Sequence, residues 1–144
     1  MTPEQSIARL VQFFEGLSPK DLARISELYA PDARFKDPFN DVQGVRAIER
    51  IFCHMFDALD EPRFVVTGQV LQGAQCFLTW DFLFRFKRFD TARTQVVRGA
   101  THIVLDAQGQ VLQHRDYWDA AEELYEKLPV VGGLMRWLKR RANS

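Results

Sequence analysis

Hydrophobic positions in the first part of the chain recur about every 3.6 residues, which is the period of an α-helix. Three such stripes lie within residues 3–16, 18–31 and 44–62. Thr2 and Gln5 have the spacing of a capping box at the start of the first stripe, and a proline ends each of the other two. This part of the sequence therefore predicts three helices, and the third has the longest apolar stripe.

From residue 63 onward the period changes to two, which is typical of β-strands with one buried face. The segment QCFLTWDFLFRFK alternates most regularly, and one face of it consists of Cys76, Leu78, Trp80, Phe82, Phe84 and Phe86. Four such segments predict an antiparallel meander. Helices gathered first and strands gathered afterwards predict an α+β domain whose strongly curved antiparallel sheet wraps around the N-terminal helices.

Length and composition predict a single domain over residues 1–144, because 144 residues of which 47% are hydrophobic can bury one core. Nineteen basic and nineteen acidic side chains balance, so no overall electric field favours a nucleic acid as partner. The two cysteines have no CxxC spacing, no signal-like segment starts the sequence, and no apolar run is long enough to span a bilayer. We expect a cytoplasmic protein.

The order of these patterns, with the motifs YAPDARFKDPF, GVRAIERIF and HIVLDAQGQVLQHRDYWD, resembles the nuclear transport factor 2-like superfamily. Within it the chain is similar to the SnoaL-like group, which also resembles steroid delta-isomerases. The resemblance covers roughly residues 4–126, and its most specific part is the aspartate-proline pair together with Gly44 and the helix behind it. It implies a cone-shaped sheet with helices closing a deep pocket, but no single chemistry, because this fold hosts many activities.

The segment HRDYWD contains acid, base and aromatic side chains on a predicted strand. Strand alternation places His114, Asp116 and Trp118 on one side. Hydrophobicity does not decide whether this side is the inner one, because Leu112 belongs to the same set and Val111 to the other. The resemblance implies that it faces the pocket. Two simpler roles stay open, namely an Asp116 that only pairs with a nearby arginine or amide and a His114 that only fills the core.

Asp37, in FKDPF, matches the aspartate that serves as general base in the steroid isomerase-like members of the family. An aspartate can do this work beside apolar walls and an electrophile that stabilises the developing negative charge. The alternative is turn chemistry, since Asp and Pro both favour turns. The sequence departs from the isomerase pattern, because Phe13 and Thr101 stand where those enzymes place two oxyanion donors. We therefore expect no steroid isomerase activity by that mechanism.

These residues together predict a proton-transfer site with an aromatic wall. The predicted catalytic residues are Asp37, His114 and Asp116, and no HxH, HxxxH or HxxE spacing indicates a metal site. The predicted substrate-binding residues are Phe13, Trp80, Phe82, Phe84, Thr101 and Trp118. The resemblance implies a lyase, isomerase or cyclase that needs no cofactor and acts on a hydrophobic, oxygenated small molecule. The alternative is a noncatalytic ligand-binding or dimeric assembly module of the same fold.

Two surfaces of the protein are expected to contact partners: the outer face of the sheet and the C-terminal extension. From the resemblance we expect a homodimer formed through the outer face of the sheet. Residues 127–144 form a basic, amphipathic extension, with Leu134, Trp137 and Leu138 at helical spacing and no acidic residue after Glu126. This extension is interpreted either as a lid with its apolar residues inward at the mouth of the pocket, or as a peripheral contact with an anionic membrane.

Overall fold

A computed structural model of the chain describes residues 1–143, which form five α-helices and six β-strands. The helices are α1 (Pro3–Glu15), α2 (Ile25–Leu28), α3 (Val45–Ala58), α4 (Ala120–Glu123) and α5 (Pro129–Ala142). The strands are β1 (Tyr29–Lys36), β2 (Asp41–Gln43), β3 (Leu59–Gln72), β4 (Gln75–Phe86), β5 (Gln95–Leu105) and β6 (Val111–Tyr117). Two short 3₁₀ helices cover Pro19–Arg24 and Tyr125–Lys127.

The first and third predicted helices are confirmed as α1 and α3. The capping box is present at α1, because the Gln5 amide donates to Thr2 Oγ1 over 3.2 Å and the Thr2 amide donates to Gln5 Oε1 over 2.9 Å. The second predicted helix is only a 3₁₀ helix followed by the single turn of α2. Pro31 disfavours helical backbone at the residue before it, and the chain has already become extended at Tyr29.

The sheet has the strand order β2-β1-β6-β5-β4-β3 and is curved and open. Strands β3 to β6 form the predicted antiparallel meander. Strands β1 and β2 were not predicted, and β1 pairs parallel with β6, so the complete sheet is mixed rather than purely antiparallel. The predicted α+β class with a curved sheet around the N-terminal helices is confirmed.

A β-bulge in β6 decides which side of HRDYWD faces inward. Leu105 pairs with Val111 and Val104 pairs with Gln113, so Leu112 is an extra residue in β6. Strict alternation therefore breaks at this residue, and both Val111 and His114 are buried while Leu112 is 40% exposed. Because of the bulge, Val111 at the start of β6 and His114 further along it both face the interior.

The hydrophobic core lies between the concave face of the sheet and the helices α1 and α3. Ile7, Leu10 and Phe14 of α1 and Ile48 and Phe52 of α3 are all buried there. The ring centroids of Phe14 and Phe52 lie 5.8 Å apart, within the range of favourable aromatic pairs. These two helices cover the deep part of the concave face and leave the region near Trp118 less filled.

The indole of Trp80 lies across the neighbouring strand β5 at Gly99, its partner in the ladder. A Cβ atom at position 99 would lie 2.4 Å from Cη2 of Trp80, far closer than such atoms approach in proteins. Trp80 is only 7% exposed, so its ring has little freedom to move aside. Glycine at position 99 is thus a steric requirement for the observed Trp80 orientation.

We expect Gly99→Ala to lower the free energy of unfolding by about 1–3 kcal/mol, because the added methyl group overpacks the site against Trp80. Urea denaturation followed by circular dichroism measures the change. Gly133→Ala is the matched control, since no atom lies within 4 Å of the Cβ position there, and it should be neutral or stabilising. Equal stability of Gly99→Ala and the parent protein would contradict the steric requirement.

The C-terminal helix differs from its predicted form. It begins at Pro129 and includes Gly132 and Gly133. Leu134, Trp137 and Leu138 are 52%, 49% and 45% exposed, so the prediction that they point inward as a lid is wrong. No helix within the part of the chain that the structure describes is long and apolar enough to cross a membrane.

Candidate acid-base site

A cavity of about 420 Å³ opens between the concave face of the sheet, α3 and the segment that follows β6. Most of its wall is apolar, and its aromatic residues are Phe35, Phe39, Phe52, Phe64, Trp80, Phe82, Phe84, Phe86 and Trp118. The polar residues at its surface are Asp37, Asn40, His54 and Asp116. Such a wall with a few polar groups is typical of small-molecule sites.

Asp116 has one oxygen engaged in hydrogen bonds and one that is not. Oδ1 accepts from Thr101 Oγ1 over 2.6 Å and lies 2.8 Å from His114 Nε2. Oδ2 makes no hydrogen bond to any of residues 1–143. The residue lines both the large cavity and a smaller one of about 30 Å³ that lies deeper, beside His114. Asp116 therefore connects the buried polar residues to the apolar cavity.

His114 is held on its other side by Tyr29, whose hydroxyl lies 2.7 Å from Nδ1. Tyr29 has no exposed surface, and this burial, together with the negative charge of Asp116, raises the pKa of its phenol well above the usual range. Tyr29 therefore stays protonated, and its hydroxyl donates to Nδ1 when the imidazole is neutral. The proton of a neutral imidazole is then on Nε2, which donates to Asp116.

Trp80 and Thr101 form a second chain of donors to the same carboxylate. Trp80 Nε1 donates to Thr101 Oγ1 over 2.7 Å, so the hydroxyl proton of Thr101 is directed toward Asp116. The strand register produces this arrangement, because Thr101 pairs directly with Asp116 across the β5–β6 ladder. Both chains of donors converge on Asp116 Oδ1, which is the pattern expected around a carboxylate anion.

Asp37 lies one residue beyond the end of β1, where the parallel pair of Lys36 and Arg115 precedes it. The parallel register places it on the same side as Asp116, and both residues line the large cavity. Asp37 Oδ1 accepts from the amides of Phe39, over 2.8 Å, and Asn40, over 2.7 Å. The Asn40 side chain reaches both carboxylate oxygens at 3.1 Å. The Asp37 carboxylate thus stabilises a turn over residues 37–40, which is the alternative role that the sequence left open for it.

The other predicted site residues are distributed over the two cavities. Phe82, Phe84 and Trp118 line the large cavity, Trp80 lines both, and Thr101 and His114 line the small one. The structure thus places His114 one layer behind Asp116, and its imidazole reaches the large cavity only through that carboxylate.

Phe13 is separate from the other predicted residues. It is 5% exposed in the core, lines neither of these cavities, and has the Arg24 guanidinium 5.7 Å from its ring centroid. Its neighbour Phe14 lines the small cavity instead. Adjacent helical residues point about 100° apart, so only one of these two neighbouring rings reaches the small cavity.

The sequence patterns did not indicate Tyr29, which completes the hydrogen-bond chain, or the cavity rings of Phe35, Phe52 and Phe64. Tyr29 falls within the second helical stripe, residues 18–31, where its ring fits the apolar pattern and nothing points to a role for its hydroxyl. Phe35 belongs to a strand that the sequence did not predict. The alternation of residues 63–72 would have placed Phe64 on the inner face, so a signal for this ring was available.

No group of three or more His, Cys, Asp or Glu residues among residues 1–143 is arranged to hold a metal ion. Cys53 is exposed and Cys76 is buried, and both are free thiols. A carboxylate with two hydrogen-bond partners at one oxygen, as at Asp116, is an arrangement chemically suited to proton transfer.

Known structures share this fold over most of the chain. A protein with a ketosteroid isomerase-like fold from Catenulispora acidiphila DSM 44928, in complex with trimethylamine, is 17% identical and has a TM-score of 0.71 over 86% of this chain and 92% of its own. A proposed SnoaL-like polyketide cyclase from Jannaschia sp. CCS1 is 18% identical, with a TM-score of 0.69 over 83% and 88%. TerC, co-crystallised with polyporic acid, is 15% identical, with a TM-score of 0.70 over 83% and 93%.

The chain therefore has the nuclear transport factor 2-like fold, as the sequence motifs predicted. The family model of the SnoaL-like domain matches residues 10–114, which is most of the chain. The chain belongs to the SnoaL-like domain family. No curated protein matches it.

We expect Tyr29→Phe to lower the free energy of unfolding by about 1–3 kcal/mol, because it leaves His114 Nδ1 buried without a donor. Urea denaturation at neutral pH measures this change. Tyr117→Phe is the matched control, since Tyr117 is 46% exposed, and its effect should stay within about 0.5 kcal/mol.

Tyr29→Phe should also change how the free energy of unfolding depends on pH in alkaline solution. The folded-state pKa of Tyr29 lies above its unfolded value, so the unfolded chain releases this proton first as the pH rises past about 10. The free energy of unfolding then falls with pH, and Tyr29→Phe should remove this part of the fall. An unchanged alkaline slope in Tyr29→Phe would contradict the assignment.

Proposed function

We propose that the protein binds a hydrophobic, oxygenated small molecule in the large cavity and moves a proton on it without a cofactor. The observation that carries this proposal is the free oxygen of Asp116 at an apolar wall, with donors from Thr101 and His114 held on the other oxygen. The reaction class is that of a lyase, isomerase or cyclase.

The chemistry starts with a carbon-hydrogen bond next to a carbonyl group. Asp116 Oδ2 takes the proton, and the electron pair moves into the carbonyl to form an enolate. Where the enolate is conjugated to a carbon–carbon double bond, return of the proton from Asp116 to the far carbon isomerises the substrate. Where the enolate carbon instead attacks a second carbonyl, a ring closes, and the alkoxide that forms takes the proton back from Asp116. His114 and Thr101 keep their hydrogen bonds to Oδ1 throughout, so they orient the carboxylate.

Asp37 serves this reaction as a wall residue that shapes the mouth of the cavity. Its hydrogen bonds to Phe39 and Asn40 hold the turn that carries Phe39 against Trp118, whose ring centroid lies 5.6 Å away. Thr101 is committed as a donor to Asp116, so it does not replace the oxyanion donor of steroid isomerases. The family likeness to a proposed polyketide cyclase and to TerC, crystallised with polyporic acid, supports the choice of reaction and ligand class.

A ketone probe tests the proposal before the natural substrate is known. We expect the protein to accelerate exchange of the α-protons of 2-tetralone in D₂O, followed by proton NMR. Asp116→Asn should lower this acceleration by about 100-fold or more, because it removes the general base. Asp57→Asn is the matched control, since Asp57 is exposed on α3 and lies outside the cavity, and it should leave the rate unchanged.

The binding of 2-tetralone, followed by quenching of tryptophan fluorescence, separates catalysis from binding. Asp116→Asn should still bind the probe, because the aromatic wall is intact. Equal exchange rates for Asp116→Asn and the parent protein, with binding present in both, would support the noncatalytic ligand-binding function instead. Native mass spectrometry of freshly purified protein would then identify a retained ligand.

The homodimer expected from the resemblance is the second part of the proposal. On the convex face, Phe77 and Tyr117 are 44% and 46% exposed and pair with His102 and Ala100, two positions apart on β5. Phe77 also stacks on His102 with 4.5 Å between ring centroids. An apolar patch on a sheet face favours burial against another surface, and a second copy offers the same patch by two-fold symmetry.

Light scattering at micromolar concentration should show a dimer, and Phe77→Glu should convert it to a monomer without loss of fold. Ala8→Glu introduces the same charge on the exposed side of α1 and should leave the dimer intact. A parent protein that is monomeric in this experiment would overturn the dimer.

A further inference from the structure

Helix α5 presents its apolar residues to solvent. Val130, Leu134, Trp137 and Leu138 follow one another at helical spacing and are 86%, 52%, 49% and 45% exposed. None of the α5 side chains from residue 129 to 142 belongs to the hydrophobic core. An amphipathic helix on a protein surface ordinarily buries such a stripe, so the orientation of α5 is the reverse of the usual one.

Contacts on the opposite side of α5 hold it in this orientation. Arg136 Nη1 donates to the carbonyl oxygen of Glu126, and Lys139 Nζ lies 3.7 Å from Glu126 Oε2. Gly132 approaches the same segment so closely that a Cβ atom there would lie 2.5 Å from the Glu126 carbonyl oxygen. The polar side of the helix is thus attached to the domain, and the apolar side points away from it.

Basic side chains accompany the exposed stripe at its C-terminal end. Arg140 and Arg141 are both exposed, and the guanidinium of Arg141 lies 5.8 Å from the centroid of the Trp137 ring. No acidic side chain follows Glu126 in the sequence. A helix with an apolar stripe, a tryptophan and basic residues is suited to lie in the interface of an anionic membrane. We propose that α5 binds an anionic lipid surface through Val130, Leu134, Trp137 and Leu138.

Charge favours a lipid surface over a second copy of α5 as the occupant. Residues 127–144 contain no carboxylate side chain, so another α5 offers no acidic partner to Arg140 and Arg141. Anionic headgroups offer many such partners, and the acyl region accepts the apolar stripe. At 14 residues the helix is about 21 Å long, enough to lie along a membrane surface but too short to span it.

The helix is close in the chain to the mouth of the large cavity. Leu124 lines the cavity five residues before α5 begins, and Tyr125 lies 6.2 Å from Phe39, ring centroid to centroid. Phe39 is itself 54% exposed. A domain attached through α5 would receive a lipid-soluble substrate from the bilayer. This last step rests on the proposed function, whereas the attachment of α5 to lipid does not.

Sedimentation with vesicles tests the attachment. Phosphatidylcholine vesicles that contain phosphatidylserine should sediment the full-length protein at low salt, vesicles of phosphatidylcholine alone should sediment much less, and high salt should release it. Arg140→Gln/Arg141→Gln should lower the partition coefficient by on the order of 10-fold. Arg46→Gln/Arg50→Gln removes the same charge from α3 and should have little effect.

A second pair of variants tests the apolar stripe. Leu134→Gln/Trp137→Gln should abolish sedimentation with vesicles, whereas Leu134→Met/Trp137→Phe should preserve it. Circular dichroism checks that each variant keeps its helix content. Equal binding to vesicles without phosphatidylserine, or binding by Leu134→Gln/Trp137→Gln that equals that of the parent protein, overturns the proposal. Sedimentation caused by association of the protein with itself, seen in samples without vesicles, overturns it as well.

The exchange reaction of 2-tetralone keeps the two proposals apart. Leu134→Gln/Trp137→Gln should retain the parent exchange rate, because these residues lie outside the cavity. A protein that exchanges 2-tetralone protons but ignores anionic vesicles refutes the lipid surface and retains the proposed catalysis. A protein that binds anionic vesicles through α5 without accelerating exchange refutes the catalysis and retains the lipid surface.

Discussion

The hydrogen bonds that converge on Asp116 Oδ1 are the constraint on which the rest of the site depends. A carboxylate beside an apolar wall is costly to bury unless donors compensate for its lost hydration. Here the compensation comes from Thr101 and His114, each fixed by a further donor behind it, Trp80 and Tyr29. Both of these contacts are at one oxygen, so the other oxygen of this cavity-lining residue has no hydrogen bond from residues 1–143.

This arrangement ties the chemistry of the site to the packing of the sheet. The indole of Trp80 donates to Thr101 and is also a wall of both cavities, and it reaches this place because residue 99 lacks a side chain. Tyr29 reaches His114 because β1 joins the sheet beside β6. Changes in the core would therefore alter the orientation of Asp116 as well as the stability of the fold.

The helices at the two ends of the chain differ in whether their apolar stripes are buried. At the N-terminal end, α1 and α3 bury their stripes against the concave face, and the capping box of α1 sets where that helix begins. At the C-terminal end, α5 is held by its polar side through Glu126 and Gly132 and leaves its stripe exposed. Sequence periodicity is the same in both cases, because it reports which residues share a face and not which partner that face meets.

The sequence by itself determined the features that depend on near neighbours in the chain. Period and capping residues predicted α1 and α3, alternation predicted the aromatic face of β4, and the Asp37–Pro38 pair carried both the family likeness and the turn. Only the tertiary structure decided the parallel pairing of β1 with β6, the bulge at Leu112 and the outward orientation of α5. These features arise from contacts between distant segments, so no local pattern encodes them. The Tyr29–His114 bond joins residues 85 positions apart, and it holds the imidazole that contacts Asp116.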